Sequence, residues 1–352
     1  MQPAADTPVE DFESLFQGHP QDIERRMLAL RAKAAGHPDI TLAPRIETRI
    51  ALAQAMLGRH EDSRRTFYLA DGMRGSDQPS VRIQLQLTLG RLLHQENKPQ
   101  DAYIVFVHAW KFACRHSMEG PAVDAAHLIA NVVEKPATRV YWNQTALKLA
   151  QASTDPEARA WISVLYNNLA QSYIADSRFP AAQEAFTVCR QLALAENNSI
   201  VERGARWGIA RALRSLGGTA EAMAVQHQLL SEYSELERSG ALPIALIRMG
   251  RGLVHEELAH LSTTTGPELA ARALEDLSCC RWVMCAATAD RWVKLASMAL
   301  QQPGFVFTSH ICEGPDSLPA KEVDLNAFIV GLSIRYNLQC DEIPGLDVVQ
   351  VR

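Results

Sequence analysis

The sequence predicts an all-α protein, an α-solenoid of about seven helix pairs followed by a C-terminal cap or extension of uncertain structure. Two observations predict this class. A pattern of large and small apolar residues recurs along the chain, with an expected period of about 34 residues. Turn-forming segments separate the copies, at 72–80, 116–121, 153–158, 196–199 and 239–243. The chain has 352 residues and is 47% hydrophobic, which is enough for such a core.

The clearest copy of the pattern spans residues 161–194. Its first half has the order aromatic-x2-Leu-small-x2-aromatic and its second half has Ala-x3-Phe, at Tyr166, Leu169, Ala170, Tyr173, Ala182 and Phe186. In a pair of packed helices, the small residues let the two backbones approach and the large residues fill the space between them. One pair cannot bury its apolar face alone, so the pattern predicts several stacked pairs.

Further copies lie on both sides of this segment. Residues 81–113 repeat the order around Gly90, and residues 206–230 repeat it around Ala210. Weaker copies extend the array at 9–39, 46–73 and 121–153. Breakers between the copies are rich in Gly, Pro, Ser and Asn, which end helices.

This organisation predicts four parts of the chain. They are an N-terminal helix pair acting as a cap at 1–40, a repeat array at 41–278, capping helices at 279–303 and a divergent tail at 304–352. In the capping segment, Trp282 and Trp292 are expected to pack rather than to form a ligand cage. The tail is richer in β-branched and aromatic residues than the rest, so it forms short strands, a hydrophobic cap or a poorly ordered extension.

Charge and hydropathy exclude several classes of protein. The net charge is −5, from 35 basic and 40 acidic residues, which gives no attraction to nucleic acid or to an anionic membrane. No stretch reaches the roughly 18 apolar residues of a membrane span. The N-terminal residues lack the basic and apolar regions of a secretory signal. We therefore expect a cytoplasmic protein that binds neither nucleic acid nor membrane, with its oligomeric state left open.

Two segments are candidate metal sites, and neither has the required spacing. In the segment VHEELAHL, His255 and His260 are five residues apart, so on a helix they point about 140° apart, too far for one zinc ion. Cys279, Cys280 and Cys285 lack the paired C-x2-C spacing of structural zinc sites, and we expect them to be buried as small hydrophobic residues. The sequence thus predicts no metal ion and no cofactor.

Catalytic motifs are not found. The sequence has no G-x-S-x-G elbow, no phosphate loop of the G-x4-G-K-[ST] type and no G-x-G-x-x-G after a strand. Glu256 and Glu257 are adjacent, so they project in different directions from a helix. Because no nucleophile, base and orienting group can be assembled, we expect a protein that is not an enzyme.

The spacing of the repeats resembles the tetratricopeptide repeat family, and residues 40–300 look like a widespread group of uncharacterised bacterial proteins of that family. The segments that carry this narrower resemblance are AVDAAHLIA, LYNNLAQSY, ARWGIARALRSLG and VHEELAHL. The resemblance implies a right-handed α-solenoid that binds peptides or partner proteins in its concave groove, with neither a catalytic residue nor a cofactor.

The resemblance also implies which side chains line that groove, because the first helix of each pair faces it. The implied positions are mostly polar and are Leu87, Arg91, His94, His127, Asn131, Asn167, Gln171, Ile174, Trp207, Arg211, Arg214, Glu256 and His260. Family members that bind chaperone tails use a clamp of Lys and Asn for a terminal carboxylate. His127, Asn131 and Asn168 match part of that clamp. Gly204 and Gly208 stand where the clamp has basic residues.

The leading hypothesis is a non-catalytic scaffold for protein–protein or peptide binding. Arg211 and Arg214 are adjacent on the helix surface, and they either recognise an acidic group bidentately or form a solvated basic face. Glu256 and His260, four apart, are expected to share one face near the end of the groove, with His255 pointing elsewhere. The alternative hypothesis is a regulatory sensor, in which a peptide or small ligand in the groove changes the shape of the solenoid and its effector contacts.

Overall fold

Most of the described residues lie in α-helices, as the apolar pattern predicts. The computed structural model describes residues 20–34, 36–262, 264–278, 286–301, 308–309 and 321–322. The described residues form fifteen α-helices: α1 (Pro20–Lys33), α2 (Leu42–Met56), α3 (His60–Asp71), α4 (Pro79–Gln95), α5 (Pro99–Arg115), α6 (Glu119–Val132), α7 (Pro136–Ala152), α8 (Pro156–Arg159), α9 (Ile162–Ala175), α10 (Phe179–Ala195), α11 (Ser199–Ser215), α12 (Thr219–Ser239), α13 (Ile244–Leu261), α14 (Gly266–Leu277) and α15 (Ala286–Ala299). The all-α class is therefore confirmed.

Two very short strands follow the helices. β1 (Thr308–Ser309) pairs antiparallel with β2 (Lys321–Glu322). The remainder of the predicted tail at 304–352 lies outside the described residues. So do the first helix of the predicted N-terminal cap, Trp282, and Cys279, Cys280 and Cys285. Within the described part of the chain, no helix is both long and apolar enough to cross a membrane.

The chain divides into two units, Met1–Phe112 and Ala113–Arg352. In the first unit, α2 packs against α1, α3 and α4. At Gly90 of α4, an added β-carbon would lie 2.2 Å from Cε1 of the Phe106 ring on α5. This is the role predicted for the small position of the repeat, because any side chain at residue 90 would displace the ring.

In the second unit, the long helices pack on one another in chain order, and the short α8 packs on α6 and α7. The consecutive contacts run through α6 and α7, α9 and α10, α11 and α12, and α13 and α14, and α15 packs on α14. α11 also contacts α9 and α13, so these three first helices are neighbours. Trp292 of α15 is buried with Leu274 and Leu295, as expected for packing in the cap.

The helix pairs recur at a longer period than the expected 34 residues. Gly90, Ala130, Ala170 and Ala210 lie 40 residues apart, each in the first helix of a pair and each buried. The residue sixteen positions later is buried too, namely Phe106, Ala146, Phe186 and Gln226. The period is longer because α4, α5, α7, α10 and α11 each have 17 residues. The expected spacing of about 34 residues is wrong for this part of the chain.

Six of the turns between described helices use one hydrogen-bond motif that ends the preceding helix. Gly217 has a φ of 88°, and the N–H of Gly218 donates to the carbonyl oxygen of Leu213 at 2.9 Å. A residue with positive φ followed by this backward bond satisfies carbonyl groups that the helix end leaves free. The same bond joins residues 54 and 59, 93 and 98, 113 and 118, 173 and 178, and 193 and 198.

Candidate functional site

Charged side chains gather on the face shared by the first helices of the second unit. α11 contributes two arginines three residues apart, α13 contributes two adjacent glutamates, and α15 contributes a further arginine. We call this group the arginine–glutamate cluster, and its members are Arg211, Arg214, Glu256, Glu257 and Arg291.

Glu257 is held between two arginines of α11. Its side chain is 2% exposed, and the Nε of Arg214 donates to Oε2 at 2.8 Å while Nη2 donates to Oε1 at 3.3 Å. The Nε of Arg211 lies 3.3 Å from Oε1 of the same carboxylate. The solvated basic face considered for Arg211 and Arg214 is therefore wrong, because both guanidinium groups bind an acid of the chain itself.

Glu256 has a partner of its own on α15. The Nε of Arg291 donates to both carboxylate oxygens, at 2.6 Å for Oε2. The glutamates of the cluster are thus buried and paired, whereas Arg211, Arg214 and Arg291 keep side-chain exposures of 29%, 30% and 27%. Three guanidinium groups meet two carboxylates, so the part of the cluster that faces solvent carries an excess of positive charge.

Trp207 lies beneath these arginines. The guanidinium carbon of Arg211 is 5.5 Å from the centre of its ring system and that of Arg291 is 5.7 Å away, which is within the range of cation–π attraction. Burial lowers the pKa of Arg211, and the charge of Glu257 only partly restores it against the repulsion of Arg291 and Arg214. The cluster therefore holds its cations close together in a partly desolvated setting.

Three of the implied groove positions are buried. Leu87, Trp207 and Glu256 are 5%, 8% and 5% exposed, so these three side chains do not present the open surface to a partner that the resemblance implied. Trp207 packs against Leu229 and Tyr233 of α12, and its Nε1 donates to a backbone carbonyl on α13. A large aromatic side chain at this position fills the space between three helices instead of facing a partner.

The two histidines of VHEELAHL have different surroundings. His255 is buried, and its Nδ1 lies 3.3 Å from Oδ2 of Asp276. Arg251 also binds Asp276, through Nε at 2.8 Å and Nη2 at 2.7 Å. His260 is exposed, whereas Glu256 four residues earlier is buried against Arg291. The i, i+4 spacing therefore does not make Glu256 and His260 a common binding surface, and the Asp276 network was not predicted.

The implied clamp residues come together as a polar group. The Nδ2 of Asn131 lies 3.0 Å from Nε2 of His127, and the Nδ2 of Asn168 lies 3.4 Å from its Nδ1. The Nδ2 of Asn167 donates to Oδ1 of Asn168 at 3.2 Å. The ring of Trp161 is 5.5 Å from the His127 ring, centre to centre. These side chains bridge α6 and α9, and they orient one another.

The other implied positions lie apart from the clamp group. Gln171 accepts a hydrogen bond from Nη1 of Arg211 at 3.1 Å, which joins α9 to the cluster. Ile174 is half-buried on α9. Arg91 and His94 are half-buried on α4 of the first unit. A role of these residues in binding a partner stays a prediction.

Arg291 was not among the implied groove positions. Its only sequence signal is the repeated Arg-Trp-Val at 281–283 and 291–293, which indicates a cap and not a binding surface. No group of three or more His, Cys, Asp or Glu side chains able to hold a metal ion occurs among the residues that the structure describes. No protein-family model matches this chain, and no curated protein sequence matches it either.

Proposed function

We propose that this chain is a non-catalytic scaffold that binds an acidic segment of a partner protein or peptide at the arginine–glutamate cluster. Its architecture in this proposal is a right-handed tetratricopeptide-type α-solenoid of about seven helix pairs, with units lengthened to 40 residues between Gly90 and Ala210. Consecutive helix packing and the recurrent small residues support the repeat architecture.

The excess of guanidinium groups over carboxylates carries the functional part of the proposal. Each arginine has five N–H donors in a planar fork, and two internal glutamates cannot use the donors of three arginines fully. Glu256, Glu257 and the Trp207 ring fix the orientation of these forks before a ligand arrives. Donors that are already oriented lose little conformational freedom on binding, which favours an incoming carboxylate.

The regulatory sensor remains the second candidate, and one observation favours it. Arg211 bonds to Gln171 on α9 and lies against Glu257 on α13, so it connects the helices on both sides of α11. A ligand carboxylate that displaced Glu257 from Arg211 would loosen the link from α11 to α13. Identical small-angle scattering with and without a bound acidic peptide would count against this candidate.

The experiment is selection of displayed random peptides on the full chain, followed by binding measurements with the selected peptides. We expect enrichment of Asp and Glu, and binding that weakens as salt is added. Glu257→Gln should strengthen binding of an acidic peptide, because it frees Arg211 and Arg214. The triple variant Arg211→Gln, Arg214→Gln, Glu257→Gln should lose that binding, and it leaves no lone carboxylate buried.

A matched control is the double variant Arg238→Gln, Glu235→Gln. It removes an exposed ion pair of α12 whose side chains are 72% and 64% exposed. The control should bind acidic peptides like the unmodified chain. Equal binding by the triple variant, or selection of peptides without acidic residues, would refute the proposed site.

A further inference from the structure

A small cavity lies beside α11, bordered by α9, α12 and α13 as well. Its volume is about 220 Å³. Most of its wall is apolar, including Val164, Ile200, Leu246, Met249 and Leu253. A cavity of about 150 Å³ lined by apolar groups is enough to hold benzene. This cavity is therefore large enough for one aromatic or branched aliphatic group.

Arg203 is the charged residue of this wall, and we call the cavity the Arg203 pocket. The residue is 8% exposed, and its Nη2 donates to Oγ of Ser199 at 3.3 Å. Its guanidinium carbon lies 5.9 Å from the centre of the Tyr233 ring. Among the described residues, no carboxylate lies within 4.0 Å of this guanidinium group.

Unlike Arg203, the neighbouring arginines are paired with carboxylates. Arg206 binds Glu232 through two nitrogens and also contacts Glu202. Arg190 binds Glu202 as well. The nearby acids are thus already occupied, and Glu232 acts on Arg203 only as a charge at longer range. Buried charges are ordinarily paired, because an unpaired ion loses its hydration without compensation.

Space is left open next to this cation. Gly204 also lines the cavity, and a β-carbon added there would have no atom within 4 Å. On the opposite side, a β-carbon at Gly250 would lie 2.2 Å from the Tyr233 hydroxyl, so Gly250 lets Tyr233 stand in the wall. The pocket therefore combines apolar walls, free volume and one buried cation.

We propose that the Arg203 pocket binds a small monocarboxylic acid with an aromatic or branched aliphatic tail. The carboxylate pairs with the guanidinium group of Arg203, which offers the planar fork that a carboxylate fits. The tail packs among Val164, Leu246 and Met249. One cation in an apolar wall suits a single negative charge and not a phosphate. This site does not depend on the peptide-binding proposal, because it uses other residues.

The test is calorimetric titration of the full chain with isovalerate and phenylacetate, each against its uncharged amide. We expect each acid to bind about tenfold or more tightly than its amide, as a charge-assisted hydrogen bond provides. Arg203→Met should remove this difference. Gly204→Val should abolish binding of both acid and amide, because its side chain enters the pocket without a clash.

Arg190→Met is the matched control, since it removes an arginine of α10 that pairs with Glu202 outside the pocket. It should bind the acids like the unmodified chain, and so should the triple variant of the arginine–glutamate cluster. Circular dichroism establishes that each variant folds, and Gly204→Val decides the outcome if Arg203→Met does not. Equal affinity for acid and amide, no binding of either acid, or unchanged binding by a folded Arg203→Met or Gly204→Val protein would overturn the proposal.

Discussion

The indole N–H of Trp207 donates to the backbone carbonyl oxygen of Leu253 at 2.9 Å, which ties α11 to α13. Trp207 supports the arginine–glutamate cluster on one side, and Leu253 lines the Arg203 pocket on the other. One hydrogen bond therefore joins a residue beside the cluster to a residue of the pocket wall.

Two substitutions of Trp207 should show how much its packing and its hydrogen bond each contribute to the free energy of unfolding. Trp207→Phe keeps most of the buried ring and loses the N–H, and we expect a loss of about 1 kcal/mol in the free energy of unfolding. Trp207→Ala also leaves a cavity among Leu229, Tyr233 and Ile247, for an expected loss of about 3–5 kcal/mol. Urea unfolding followed by circular dichroism measures both. Similar losses for the two variants would mean that the ring contributes little packing.

Two glycines in α11 should respond in opposite directions to the same substitution. A β-carbon at Gly208 would lie 2.3 Å from Cε1 of the Phe186 ring, whereas one at Gly204 would meet nothing. Gly208→Ala is expected to destabilise by about 1–3 kcal/mol through overpacking. Gly204→Ala should stabilise by roughly 0.5–1 kcal/mol, because alanine favours the helix. Melting temperatures of the pair provide the comparison, and equal shifts would contradict the packing described at Gly208.

Protonation of Asp276 at acidic pH should lower the free energy of unfolding. Burial by itself raises the pKa of this carboxyl group, but hydrogen bonds from Arg251 and His255 outweigh it, so the pKa falls below its ordinary value of 3.8. A lowered carboxyl pKa stabilises the fold above that ordinary value, and the stabilisation is lost as the pH falls through the folded-state pKa. Asp276→Asn should therefore show a shallower loss of stability below about pH 4 than the unmodified chain.

The neighbouring Glu275 is a control, because the pKa of its carboxyl group is shifted in the opposite direction. Burial, and then the charge of Asp276, raises the pKa of its carboxyl group. Ionisation of Glu275 at neutral pH therefore opposes folding, so Glu275→Gln should not reduce stability at pH 7. Unfolding curves collected across the acidic range distinguish the two residues. If Asp276→Asn lost stability below about pH 4 as steeply as the unmodified chain, another group would cause the acid sensitivity.

Two cysteines should differ in their reactivity toward an alkylating reagent. Cys114 is exposed, whereas Cys189 is buried and its burial raises the pKa of the thiol to about 11. Because the thiolate is the nucleophile, Cys189 should be alkylated far more slowly at neutral pH. Peptide mapping by mass spectrometry after N-ethylmaleimide treatment measures each site. Rapid modification of Cys189 in the folded protein would show that this helix pair opens readily, whereas modification only in urea would agree with its burial.

Some parts of the candidate site were accessible from the sequence and others were not. The pattern around Ala170 and Ala210 locates the first helices, and the three-residue spacing of Arg211 and Arg214 places them side by side on the helix surface. Their partner is Glu257, 43 residues after Arg214. Nothing in the local pattern distinguishes a partner carboxylate on another molecule from one on α13.

The sequence by itself determined the helices, their turns and the small residues where helices approach, because these depend on neighbours three or four positions apart along one helix. The tertiary structure alone decided that Trp207 is buried, that Arg211 and Arg214 bind Glu257, and that Arg203 faces a cavity with no acid among its described lining residues. Such pairings depend on how far each helix is rotated and shifted against the next, and that is set by the packing of whole side-chain surfaces.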